Sequence, residues 1–285
     1  MKRIAIVMAV AGMCVWSFGQ DKPAGQNPPA GQAAGQTAAA PQGKRPPKVN
    51  SQEEYNAYKA VMVMTDPVAE EKAAGEFVKN YPQSELQGLV YKDVMQKYQQ
   101  ANNGDKMVEM ARKALALDPD DPEALVAIGQ VLVEQVKDTD LDKDQRFAEA
   151  RKNAERALVT VDSDVPTAGY DPQKLADYKN FIRSQAYFIL GTVAYKQNAW
   201  PEAETNLRKS IDALPQQPDV VCVYRLALAL DFQNKIPEAV KVAQQAVDLT
   251  KNNPDSPAGK AARQELDRLM TYSKGNAPSA APAKN

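Results

Sequence analysis

Almost everywhere from Ser51 onward, apolar residues recur three and four positions apart. No stretch alternates apolar with polar as a half-buried strand would. That spacing predicts an all-α chain. The helical runs come in pairs separated by short breaks, and two of the breaks are near-copies. Gln197-Asn198-Ala199-Trp200-Pro201-Glu202-Ala203 and Gln233-Asn234-Lys235-Ile236-Pro237-Glu238-Ala239 lie 36 residues apart. In each, one apolar run ends and proline enters the first turn of the next, where its missing N–H costs nothing. Glutamate follows, complementing the positive end of the helix dipole. Recurrence at such a period marks stacked helical repeats.

A 34-residue frame starting at Glu54 fits the first three blocks. It aligns Ala57 with Tyr91 and Leu125, Ala60 with Val94 and Ile128, Val61 with Met95 and Gly129, and Met64 with Tyr98 and Leu132. In the second helices Phe77 matches Ala111 and Ala73 matches Met107, continued by Ala150 and Ala154 after nine extra residues. The blocks 54–87, 88–121, 122–164, 184–219 and 220–253 are each predicted as one helix pair. Asp66-Pro67 and Asn102-Asn103-Gly104 punctuate the first two, and Asp118-Pro119-Asp120-Asp121-Pro122 stops one helix and caps the next. Gly129, Gly191 and Ala227 fall where paired helices should cross, opposite Ala150, Ala203 and Ala239. Only small side chains there let the large neighbours interlock. Residues 165–172 read as a loop and 172–183 as a helical extension into the fourth block. Residues 257–272 form an amphipathic helix suited to capping the last repeat, which closes a domain over 51–272.

Tyr187, Leu190-Gly191, Tyr195, Trp200, Ala203, Leu207 and Pro215 together resemble the tetratricopeptide repeat. The pattern recurs in Leu125, Ile128-Gly129 and Leu132, and in Ala111, Ala114-Leu115 and Pro119. The resemblance covers about residues 54 to 253. It implies a right-handed α-solenoid of about five helix pairs, whose first helices line a concave groove that holds an extended or helical peptide. Carried onto this sequence, the groove would be formed by Lys92, Gln96, Gln99, Val126, Gln130, Val133, Phe188, Thr192, Tyr195, Tyr224, Leu228 and Asp231. Phe188, Tyr195 and Tyr224 are the aromatic anchors among them.

Composition narrows the chemistry. The formal charge is −1, which gives no electrostatic reason to expect a nucleic-acid or anionic-membrane partner. There is no histidine, so the usual general base, the Ser-His and Cys-His pairs and the commonest metal ligand are gone together. No glycine-rich phosphate loop can follow a strand where none is predicted. The expectation is a non-enzymatic protein-interaction scaffold, without cofactor, whose partner is a protein or peptide.

The ends of the chain add location. Lys2-Arg3, the apolar stretch from Ile4 to Phe18 and the small residues of Ser17-Phe18-Gly19 read as an export signal over 1–19. The apolar run is too short to span a bilayer comfortably. Cleavage after Gly19 places the mature chain in a periplasm or outside the cell. The alternative is an envelope-assembly lipoprotein: Ala11-Gly12-Met13-Cys14 resembles a lipid-acceptor motif, with Met13 departing from its small residue. Residues 20–50, rich in Pro, Ala, Gly and Gln, read as a disordered spacer, with Lys44-Arg45-Pro46-Pro47-Lys48 as a solvated basic end. Residues 273–285 read as a disordered tail. This layout resembles that of exported bacterial repeat proteins.

Cys222 is then the one cysteine left, which rules out an internal disulfide and suggests a buried, inert thiol. Asp138 to Glu149 spaces oxygen ligands as a calcium loop does, which leaves a calcium-responsive module as a further alternative. Lys143 stands where that loop turns on glycine, so a solvated acidic loop is the favoured reading. Glu70-Glu71 and Asp120-Asp121 read as helix-start or polar-face carboxylates.

Overall fold

The computed structural model describes residues 43–166 and 171–275. Among them eleven helices follow one another without a strand: α1 (Gln52–Met62), α2 (Pro67–Asn80), α3 (Gln87–Gln100), α4 (Gly104–Leu117), α5 (Pro122–Gln135), α6 (Lys143–Thr160), α7 (Pro172–Lys196), α8 (Trp200–Ala213), α9 (Val220–Phe232), α10 (Ile236–Leu249) and α11 (Pro257–Gly275). Ten of them form five pairs and α11 closes the stack. The export signal with Cys14, the spacer up to residue 42, the middle of the 165–172 loop and the tail from 276 lie outside the described residues.

Capping chemistry explains the helix starts. Ser51 and Glu54 close a reciprocal capping box on α1. Asp66, Asp121 and Asp171 each precede a proline, and their side chains accept the N–H of Ala69 (2.7 Å), Ala124 (3.0 Å) and Gln173 (2.9 Å). The turns inside the second, fourth and fifth pairs pass through Asn102, Asn198 and Asn234, with φ of 56°, 59° and 59°. Asparagine adopts this left-handed conformation more readily than most residues. The two near-copies therefore share an Asn because they share a turn.

Three successive apolar clusters fill the stack: around Phe77, Met95 and Met110, around Phe147, Ile182 and Ile189, and around Leu207, Leu226 and Leu230. Leu266 and Leu269 of α11 complete the last one, so the capping helix covers apolar surface that a sixth pair would otherwise cover. The crossings are close where small residues were expected. A Cβ on Gly129 would meet Ile189 at 3.0 Å and the Ala150 carbonyl at 3.4 Å. At Gly191 the nearest neighbour is Leu207, one turn beyond the Ala203 expected from the repeat register.

First helices also touch one another across three of the four steps between pairs, α1 with α3, α5 with α7 and α7 with α9, and α9 touches the capping α11. No comparable packing joins one second helix to the next among the described residues. A stack whose first helices crowd while its second helices diverge must curve, with the first helices inside. That curvature creates the inner face.

Three local readings change. Residues 44–48 are not a free solvated end: Arg45 and the Lys48 backbone N–H both engage Glu85, and Lys44 reaches Asp118. Glu70 is not on a polar face but fully buried, because the stripe it shares with Ala74 and Phe77 is the one α2 presents to the core. Residues 138–149 do not form a twelve-residue cation loop. Helix α6 already begins at Lys143, and the acids serve the protein's own donors. Asp142 pairs with Arg146 (2.8 Å), Asp140 accepts the Lys137 N–H (2.9 Å) and Glu149 pairs with Arg112 (2.8 Å).

Candidate functional site

The inner helices gather the expected groove residues into two groups. In the first, Lys92 of α3 places its ammonium 2.8 Å from Asp121 and 3.3 Å from Glu123 at the start of α5. Gln96 donates to the other oxygen of Glu123 at 2.5 Å, and the Tyr178 hydroxyl donates to Glu123 from α7 at 2.8 Å. Burial alone would lower the Lys92 pKa, but the two carboxylates outweigh it and raise it, so the ammonium stays charged. Gln99 is exposed and Gln130 half-buried. Val126 and Val133 are 6% and 0% exposed. They belong to the core, leaving a polar inner surface here.

The second group lies on α7, α9 and α11. Phe188 and Thr192 are buried, and both are covered by Arg225. Its guanidinium stands 5.1 Å from the Phe188 ring centroid and donates to the Thr192 hydroxyl at 2.9 Å. Tyr195 and Tyr224 are half-buried, as is Leu228. Burial first, then the neighbouring Tyr224 for Tyr195 and Glu265 for Tyr224, raises both phenol pKa values. Both rings therefore keep a neutral hydroxyl that can donate. Asp231 accepts from Arg268 of α11 at 2.5 Å, and Arg268 also pairs with Glu265 at 2.7 Å. Beside the group, the Tyr195 ring meets Trp200 edge-on with centroids 5.4 Å apart, and Trp200 stacks on Phe232 at 4.3 Å.

The structure thus brings Phe188, Thr192, Tyr195, Tyr224, Leu228 and Asp231 to one end of the inner face, and Lys92 with Gln96 to another part of it. It also adds residues that sequence reasoning missed: Glu123 and Tyr178 in the first group, Arg225, Glu265 and Arg268 in the second. Arg225 had a legible signal, being the one cation in the otherwise apolar run Val220-Val221-Cys222-Val223-Tyr224-Arg225-Leu226-Ala227. Glu265 and Arg268 had none beyond their own i,i+3 pairing, since the groups they meet on the inner face, Tyr224 and Asp231, come from a helix over thirty residues away.

Cys222 sits under this face, fully buried, with its thiol donating to the Leu207 carbonyl at 3.5 Å. Burial raises its pKa to about 12, so it carries no thiolate for nucleophilic work. Among the described residues no cluster of three His, Cys, Asp or Glu side chains is arranged to hold a metal. None of their helices is long and apolar enough to cross a membrane.

Five helix pairs curving with their first helices inward, closed by a capping helix, define the tetratricopeptide-repeat class of solenoid, the fold this chain has. No protein-family model matches the chain, and no curated protein sequence does. Solved structures of similar fold include PilF of Pseudomonas aeruginosa, 16% identical, with a TM-score of 0.51 over 80% of this chain and 96% of that one. PilW, described as a widely conserved type IV pilus biogenesis factor, is 20% identical with a TM-score of 0.49 over 81% and 96%. YrrB, described as a TPR protein with an unusual peptide-binding site, is 17% identical with a TM-score of 0.45 over 72% and 87%.

Proposed function

We propose that this chain is an exported, non-enzymatic scaffold that works in a periplasm or outside the cell. On this reading it holds an extended or helical segment of a partner protein on the inner face of its fourth and fifth pairs. The observation that carries it is the composition of that face. Two half-buried phenols, Tyr195 and Tyr224, neighbour each other and Arg225, with half-buried Leu228 one turn on from Tyr224 and the Asp231–Arg268 pair beyond it. Rigid aromatic side chains with a polar tip supply large contact area at low entropic cost, and such residues with arginine dominate protein recognition. The amides of Gln96, Gln99 and Gln130 extend the same face with groups able to pair with a peptide backbone. Export rests on Lys2-Arg3, the apolar stretch behind them and the small residues before Gln20.

Affinity capture from the envelope of the producing cell tests it, comparing the full chain with Tyr195→Ala/Tyr224→Ala. The double variant should keep its thermal midpoint within a few degrees and lose the captured protein by about tenfold or more. Phe188 is left intact, because alanine there would hollow the core and confuse folding with binding. Equal capture by both proteins would overturn the assignment.

A further inference from the structure

Residues 43–50 form no helix or strand and run along a different surface, the edge formed by the loops that join the second helix of one pair to the first helix of the next. Pro46-Pro47 favour the polyproline conformation, which makes no internal hydrogen bonds and leaves its side chains and amides for a neighbour. Three of the joining loops each supply one carboxylate. Glu85, between α2 and α3, accepts from both terminal nitrogens of Arg45 at 2.7 Å and from the Lys48 backbone N–H at 2.8 Å. Asp118, between α4 and α5, accepts from the Lys44 ammonium, and Asp164, between α6 and α7, lies 4.0 Å from it. The prolines are half-buried while the cations stay exposed. The Arg45 hydrogen bonds and the Lys48 amide hold the Glu85 carboxyl down at about 2. One carboxylate from each of three successive joining loops reaches the segment, so together they form a row along it.

We propose that this acidic edge is a second peptide-binding surface, fitted to a basic, proline-bearing extended segment of a partner, and that residues 44–48 occupy it as an internal stand-in which such a segment displaces. It stands independently of the inner face. Exposed ion pairs hold weakly. The bidentate arginine adds geometric selectivity, and the covalent tether gives the internal segment a high effective concentration. The segment therefore excludes poor ligands yet releases readily to a better one.

The test uses the full chain and a fluorescein-labelled peptide with the sequence of residues 43–49, followed by anisotropy at low salt. Lys44→Ala/Arg45→Ala releases the internal segment without touching the core. The peptide should bind this variant and bind the unchanged chain about tenfold more weakly, because the internal segment competes. Adding Glu85→Gln to the variant should abolish binding. Three results would each overturn the proposal: no binding to the released variant at millimolar peptide, equal affinity for both chains, or affinity indifferent to Glu85→Gln.

Discussion

Gly191 is the point where α7 comes closest to its partner helix α8. A Cβ there would fall 2.7 Å from Leu207 Cγ, 2.9 Å from Cδ2 and 3.1 Å from the Leu207 backbone nitrogen. The side chain could turn away, but the backbone could not, and Leu207 is fully buried. Gly191→Ala should therefore force the helices apart and lower stability by about 1–3 kcal/mol in a denaturant titration. Gly75, inside α2, is the matched control, since an added Cβ there meets nothing within 4 Å. Gly75→Ala should stabilise by about 0.5–1 kcal/mol, through helix propensity alone. Equal effects at the two positions would remove close approach as the reason for the repeat glycine. At this scale the sequence was legible where a residue type has one narrow use. Glycine at a crossing and proline at a first helical turn stand where pattern alone put them, and the left-handed asparagine of each near-copy explains part of their likeness. Phe188 shows the limit. An aromatic on the inner helix read as a groove anchor, yet Arg225 lies over its ring and closes it off.

The first two pairs show what helix-level patterning leaves out. Helix α2 buries Glu70 completely against α3, where the Lys97 ammonium lies 2.6 Å from one carboxylate oxygen and also 2.6 Å from Asp93. Beyond that ion pair, neither Glu70 oxygen has a hydrogen bond of good geometry. Burial, followed by the Asp93 carboxylate, raises the Glu70 pKa from 4.5 to about 8, against the opposing pull of Lys97. The folded chain thus holds this proton more tightly than the unfolded chain. Its stabilisation is complete below about pH 4.5 and is lost as pH rises through about 8. Melting curves from pH 5 to 8.5 should show the unchanged protein losing stability by at most about 1.4 kcal/mol per pH unit. Glu70→Gln should flatten that slope. An identical pH dependence in the two proteins would contradict a protonated Glu70. Sequence pattern identified α2 as a helix with Ala73 and Phe77 on its apolar side, whereas the stripe it buries runs through Glu70, Ala74 and Phe77. What pattern could not supply was Lys97, reaching across from the next pair. The docking of residues 44–48 was hidden for the same reason, since Glu85 and Asp118 are distant in sequence.

At the scale of the whole molecule, the five pairs divide the surface into an inner face of first helices, an outer face of second helices and an edge of joining loops. Pair number and helix order follow from a 34- to 36-residue period joined to the packing of small residues, whereas the inner position of the first helices was implied only by the resemblance to the tetratricopeptide repeat. Which inner side chains remain accessible does not follow, because it depends on how tightly neighbouring pairs curl and on α11 folding over α9. That closure gives the fifth pair a finished inner wall, with Asp231 and Arg268 facing across it. On the proposed function, a partner lies on this wall and not on the outer helices. Site-specific photo-crosslinking measures that directly. A photoreactive phenylalanine analogue is placed at Tyr195 or Tyr224 on the inner face, or at Lys241 or Glu155 on the outer helices, and irradiated in the producing cell. One common adduct is expected from the two inner positions and none from the outer ones. Adducts from the outer positions alone, or from all four alike, would contradict it.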